Sequence, residues 1–159
     1  MHISKDNLKG KLIAAVLLIA WMVVIFVFSA MPAEASDEKS RFIVNILEAL
    51  GFNTEGTLAD LANHLVRKSA HFIEYALLYL FALNLMRYYF TFNKSLLISL
   101  GVVFLYACTD EFHQLFVPGR AGRFSDVMID TAGGFTTMVL VKIYVALKKV
   151  KAKNKILFR

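Results

Sequence analysis

The chain has 159 residues, 58% hydrophobic and 19% charged, with a formal net charge of +6. A soluble domain is ordinarily about 45–50% apolar and about 25% charged, so this composition points away from a soluble enzyme and toward a membrane protein. Seven of the 18 Lys and Arg lie between Lys142 and Arg159 and three more within the first 11 residues, a segregation that reads as membrane topology rather than nucleic-acid binding.

Residues 12–30 form the first apolar run, with Ser29 its only polar member, long enough to cross about 30 Å of hydrocarbon as a helix. Pro32 then opposes continuation of that helix. The alternative is a cleaved leader, with Lys5, Lys9 and Lys11 as its basic region and Ala33-Glu34-Ala35 as its cleavage site. The run exceeds the usual 7–15 residues, roughly, of a leader, which favours an uncleaved anchor. Residues 31–66 are polar and mostly acidic. Within them Phe42, Ile43, Ile46, Leu47 and Leu50 recur at helical spacing and predict a short amphipathic helix, with Gly51 as its stop.

Three further spans follow, at about residues 68–87, 95–113 and 125–147, and a basic tail occupies 148–159. The positive-inside rule puts both termini, Arg87 and Lys94 in the cytoplasm, leaving 31–66 and 113–124 outside. The expected fold is therefore all-α: one polytopic integral membrane domain over 1–159, with four transmembrane helices and the short amphipathic helix in the first outer loop. Gly101, Gly133 and Gly134 are expected to permit close helix packing. Cys108 is the single cysteine, so no intrachain disulfide can form.

The outer ends of the last three spans are unusual. His71 and Glu74 begin the second, Asp110, Glu111 and His113 end the third, and Asp126 and Asp130 begin the fourth. An intramembrane charge costs on the order of 2.5–3.5 kcal/mol at a helix centre and marks function by default. His64, Lys68, His71 and Tyr75 share one helical stripe, and Asp110 shares a face with His113 and Gln114. Val117-Pro118-Gly119-Arg120 has the composition of a tight turn. Ser125 is the expected N-cap of the fourth span, and a helix start beside Arg120 and Arg123 suits an anion. The competing readings are plain pairing of these arginines with Asp110, Glu111 or Asp126, and a polar network that only fixes helix packing.

The runs Lys68-Ser-Ala-His71-Phe-Ile-Glu74-Tyr75 and Asp110-Glu111-Phe-His-Gln114-Leu-Phe-Val-Pro118-Gly119-Arg120, followed by Ser125-Asp126 and Gly133, resemble the VanZ-like family of bacterial membrane proteins. The likeness covers about residues 12–147. It implies a multi-pass protein of the bacterial plasma membrane, in a family whose founding member is associated with low-level teicoplanin resistance. Lys68, His71, Tyr75, Asp110, Glu111, Gln114, Arg120, Ser125 and Asp126 match the family pattern. Where the family often has asparagine, this chain has Asp130.

Three kinds of chemistry compete at these residues. In the first, an enzyme acts on a membrane lipid or lipid-linked cell-wall precursor. His71, Glu74, Asp110, Glu111 and Asp126 are then its catalytic candidates, and Lys68, Tyr75, Gln114, Arg120, Arg123 and Ser125 hold substrate or anion. No nucleophile elbow accompanies them. In the second, the same basic residues bind a headgroup or antibiotic without turnover. The third is a divalent metal site among His71, Glu74, Asp110, Glu111, His113, Asp126 and Asp130, without any established ligand spacing. No cofactor is expected apart from that lesser metal reading, and no nucleic-acid partner.

Overall fold

The computed structural model describes residues 7–32, 34, 38, 41–42, 44–46, 49 and 57–157. Helix α1 (Leu8–Ser29), α2 (Thr57–Met86), α3 (Phe92–Gln114) and α4 (Phe124–Leu157) follow one another, with no strand among the described residues. All four contain stretches long and apolar enough to cross a membrane. At 1.5 Å per residue, the 22 residues of α1 reach about 33 Å and the 23 of α3 about 34 Å, both sufficient for the hydrocarbon core.

The helix boundaries depart from expectation at three places. α2 starts at Thr57, 11 residues before the membrane span expected from 68, so Arg67 lies on the helix together with His64, which the stripe through Lys68, His71 and Tyr75 already places there. α4 runs to Leu157, so much of the basic tail is helical. It also starts at Phe124, which puts Ser125 inside the first turn and not at the N-cap; its hydroxyl donates to Asp126 Oδ1 at 3.2 Å. The amphipathic helix expected around 42–50 falls largely outside the described residues. Residues 41–42 and 44–46 are helical, with Val44 buried and Phe42 and Ile46 exposed.

Helix α4 packs most extensively on α2 and then on α3, while α1 lies mainly against α2. Gly133 and Gly134 make this possible. A Cβ on Gly133 would run into the Phe72 carbonyl oxygen of α2, and one on Gly134 would come within 2.8 Å of Val103 Cγ1 on α3. Gly101 differs from expectation: a Cβ there would meet nothing within 4 Å, so it plays no part in close packing. The core between the helices is formed by Tyr75, Leu78, Tyr79, Ala82, Val103 and Ala107, among others. Leu12, Ile13, Leu105 and Leu140 point outward, as lipid-facing side chains of a spanning bundle do.

Polar contacts tie α1 to the other helices along its length. Trp21 Nε1 donates to the Glu74 carbonyl at 2.9 Å, and the Tyr106 hydroxyl to the Met22 carbonyl at 2.5 Å. With hydrocarbon outside, such interhelical bonds have no water competing for them.

Candidate functional site

The helices alternate in direction, so the end of α1, the start of α2, the end of α3 and the start of α4 meet at one end of the bundle. There the last three helices and the loop between α3 and α4 line a cavity of about 240 Å³. His64, Arg67, Lys68 and His71 reach it from α2, Glu111 and Gln114 from α3, and Asp126 and Asp130 from α4. Gly119, Arg120, Ala121 and Arg123 close it from the loop between α3 and α4. The loop begins with the expected turn: Arg120 N–H donates to the Val117 carbonyl at 3.1 Å and Gly119 has φ 73°. Positive φ at the third position of a Pro-Gly turn is the type II geometry, which a side-chain-bearing residue adopts only with strain. The loop then folds back onto α3. A Cβ on Gly122 would collide with the Glu111 carbonyl oxygen, and Arg123 N–H donates to Glu111 Oε2 at 2.8 Å.

The polar contacts at the cavity cross between helices. Lys68 pairs with Asp126, so the ammonium of α2 meets the first turn of α4. Arg120 Nε donates to the Met31 carbonyl at 3.2 Å, anchoring the loop to the end of α1. Gln114 Nε2 donates to Ser29 Oγ at 3.2 Å and to Asp110 Oδ2 at 3.4 Å. Four basic side chains (Arg67, Lys68, Arg120 and Arg123) and three carboxylates (Glu111, Asp126 and Asp130) thus surround a small volume that also holds two imidazoles.

Not every expected site residue lines the cavity. Lys68, His71, Glu111, Gln114, Arg120, Arg123 and Asp126 do. Asp110 and Tyr75 lie deeper, 3% and 0% exposed. Glu74 sits behind His71, its Oε2 3.7 Å from His71 Nδ1. Ser125 is exposed and outside the lining. His113 shares a helix face with Asp110 in sequence, yet its ring stacks on Phe26 of α1 at 4.6 Å and also stays outside. Arg67 and Ser29 were not foreseen. Helical spacing could have found Arg67, which lies three after His64 and four before His71. The role of Ser29 depends on a contact 85 residues away, for which the sequence carries no signal.

The opposite end of the bundle is chemically different. A larger cavity there, about 680 Å³, is formed by Leu80, Leu83, Phe92, Val141 and Val145, with Arg87, Lys148 and Lys149 among its polar members. No carboxylate lines it. Of these two cavities, the first is the one that interleaves acidic and basic groups.

A family model described as VanZ/LLP1 matches residues 14–145. The chain belongs to the VanZ/LLP1 family. No curated protein and no solved structure matches it. The match reaches into all four membrane helices and covers every residue of the cavity lining, so the cavity is built wholly from the VanZ/LLP1 region. Several buried polar atoms of this VanZ/LLP1 chain have no hydrogen-bond partner in the protein: His71 Nδ1, Tyr75 Oη, Asp110 Oδ1 and Asp130 Oδ2, all at or beneath the cavity floor.

Proposed function

We propose that the cavity is a binding site for the anionic, phosphate-bearing headgroup of an envelope lipid or lipid-linked cell-wall precursor, entered from the outer leaflet of the bacterial plasma membrane. The observation that carries this reading is the convergence of Arg67, Lys68, Arg120 and Arg123 on one small cavity at a bundle end. Guanidinium groups present forked donors that match phosphate oxygens in pairs, and such charge-assisted bonds are roughly twice as strong as neutral ones. The positive-inside rule places the opposite end, with Arg87, Lys94 and the Lys148–Lys149 pair, at the cytoplasmic face, so the cavity faces outward.

A purely structural polar network is the weaker reading. A network that served helix packing alone would satisfy its own members, because an unpartnered buried polar group costs about 1–3 kcal/mol. Several atoms here lack a protein partner. His71 at the cavity wall, with Glu74 behind it, supplies a group able to move a proton if the headgroup is also a substrate.

Binding of short-chain phosphatidic acid and of a polyprenyl phosphate to detergent-solubilised protein, against phosphatidylcholine, tests the proposal. The phosphate lipids are expected to bind, and the Arg120→Ala/Arg123→Ala double variant to bind at least about 10-fold more weakly. Equal affinity for the zwitterionic lipid, or no effect of the double variant, would sink it. Release of inorganic phosphate in the same samples separates turnover from binding. The glycopeptide-resistance association of the family's founding member extends to this chain if expression in a susceptible strain lowers teicoplanin susceptibility and the double variant does not.

A further inference from the structure

Three helices bring one metal-competent side chain each to a single point below the cavity. His71 of α2, Asp110 of α3 and Asp130 of α4 offer one ligand atom apiece, all within 4.8 Å of one another. Asp110 is 3% exposed and Asp130 2%. Asp110 Oδ1 and Asp130 Oδ2 are both buried without a hydrogen-bond partner. Two carboxylates so placed repel each other and have lost their hydration, at a cost of several kcal/mol per ion unless a cation compensates them. The cation that acts on Asp130 is the ammonium of Lys68, which is already paired with Asp126. Asp110 Oδ2 accepts from Gln114 Nε2 at 3.4 Å, and the hydroxyls of Ser29 and Tyr75 act on the same carboxylate; all three donors are neutral.

We propose that His71, Asp110 and Asp130 hold a divalent first-row metal ion, Zn²⁺ or Mn²⁺. One imidazole and two carboxylates carry a combined charge of −2 when both acids are ionised, which such an ion neutralises. The imidazole nitrogen favours a first-row metal over Ca²⁺ or Mg²⁺, which prefer all-oxygen shells. Bonds of about 2.0–2.2 Å put tetrahedral ligands about 3.4 Å apart, so small rotations of the two aspartates close the shell. Three protein ligands leave at least one position open. His71 and Asp130 both line the cavity, so the open position faces it. A headgroup phosphoryl oxygen would complete the coordination there, a role that rests on the function proposed above; the metal site itself does not. Glu74 is the positioning residue. Its carboxylate, 3.7 Å from His71 Nδ1, is placed to fix the imidazole in the manner of the outer-shell carboxylates of metal-bound histidines.

The test uses the full chain in detergent, stripped with EDTA, desalted and titrated calorimetrically with ZnCl₂ and separately with MnCl₂. Metal content of the protein as purified is read by mass spectrometry. One equivalent per chain is expected with at least one of the two ions. Glu74→Gln should lower affinity by about 10-fold and the ligand variants Asp130→Asn and His71→Gln by more. Metal should raise the thermal midpoint of the wild type and leave that of Asp130→Asn unchanged. Asp130→Asn removes one of two buried carboxylates that repel each other, so its metal-free form should unfold no earlier than the metal-free wild type; that comparison keeps loss of binding distinct from loss of fold. Failure of the wild type to bind an equivalent of either ion, or wild-type affinity in Asp130→Asn, would overturn the proposal. Metal binding without phosphate-lipid binding would defeat the headgroup reading and leave the metal site standing. The converse result would defeat the metal site alone.

Discussion

Lys68 and Asp126 form an ion pair that joins α2 to the first turn of α4 at the wall of the cavity, with each side chain less than one-fifth exposed. Asp126 also accepts from Ser125, and its position in the first turn is the one where a carboxylate is favoured by the helix dipole. The pair therefore ties two walls of the cavity together and engages the lysine of its lining.

Breaking this pair from one side should cost more than removing it whole. Lys68→Met leaves a partly buried carboxylate without its cation and is expected to destabilise by about 1–3 kcal/mol. Lys68→Met combined with Asp126→Asn should cost less than the sum of the single changes, with a coupling of about 1 kcal/mol or more. Unfolding in mixed detergent, followed by far-ultraviolet circular dichroism, measures all four corners of the cycle. Strict additivity would show that the two side chains are merely neighbours.

The second relationship of this kind runs through Gln114, which donates to both Ser29 and Asp110. Gln114→Leu keeps the bulk and deletes the amide donor that Ser29 Oγ and Asp110 Oδ2 share, leaving the buried carboxylate one donor short. The expected loss is about 1–3 kcal/mol, against less than about 1 kcal/mol for Ser29→Ala, which keeps the bond to Asp110. The same unfolding assay ranks the two, and a larger effect from Ser29→Ala would contradict the geometry.

The spans and the clustering of charge were legible in the sequence because both depend on local properties, apolar run length and helical spacing. The start of the second membrane span was less so. Asp60, Asn63, His64 and Arg67 interrupt the apolar run before 68, so hydropathy alone starts the span there, yet the helix begins at Thr57 and carries His64, Arg67 and Lys68 to the cavity. Rotational setting was not legible at all. Asp110 and His113 share a face by spacing, but α3 is turned so that Asp110 is buried between helices while His113 stacks on Phe26. What fixes that rotation is a set of contacts more than 80 residues apart in sequence, Tyr106 to Met22 and Gln114 to Ser29. The convergence of His71, Asp110 and Asp130 on one point follows from the same tertiary setting; each was visible as a titratable residue near one membrane face, without the distance that makes the three a group.

Orientation in the membrane gives a prediction that needs no ligand. In a Cys108→Ser background, the variants Arg123→Cys and Lys149→Cys put single exposed thiols at opposite ends of the bundle. An impermeant maleimide applied to intact cells is expected to label the first, and the second only after permeabilisation, if the cluster of Lys148, Lys149 and Lys151 follows the positive-inside rule. The reverse labelling would place the cavity on the inner side and refute the proposed route from the outer leaflet.

The close approach of α4 to α2 and α3 makes the glycines unequal, and the contrast among them is a direct test of the packing. At Gly133 the obstacle is the Phe72 carbonyl, a backbone atom that can retreat only if the whole helix moves. Gly133→Ala is therefore expected to cost at least about 2 kcal/mol, within the range for forcing extra atoms into a packed interior. It should also disturb the cavity, since Asp130 stands one turn before Gly133 on the same helix. At Gly134 the obstacle is the Val103 side chain, which gives way more readily, so Gly134→Ala should cost less. At Gly101 there is open space, and alanine favours the helix over glycine by about 0.8–1.0 kcal/mol. Gly101→Ala should accordingly be neutral or stabilising. Thermal unfolding of the three variants in one detergent gives the order, and a Gly101→Ala protein less stable than Gly133→Ala would mean that α4 does not meet α2 where Phe72 and Gly133 place it.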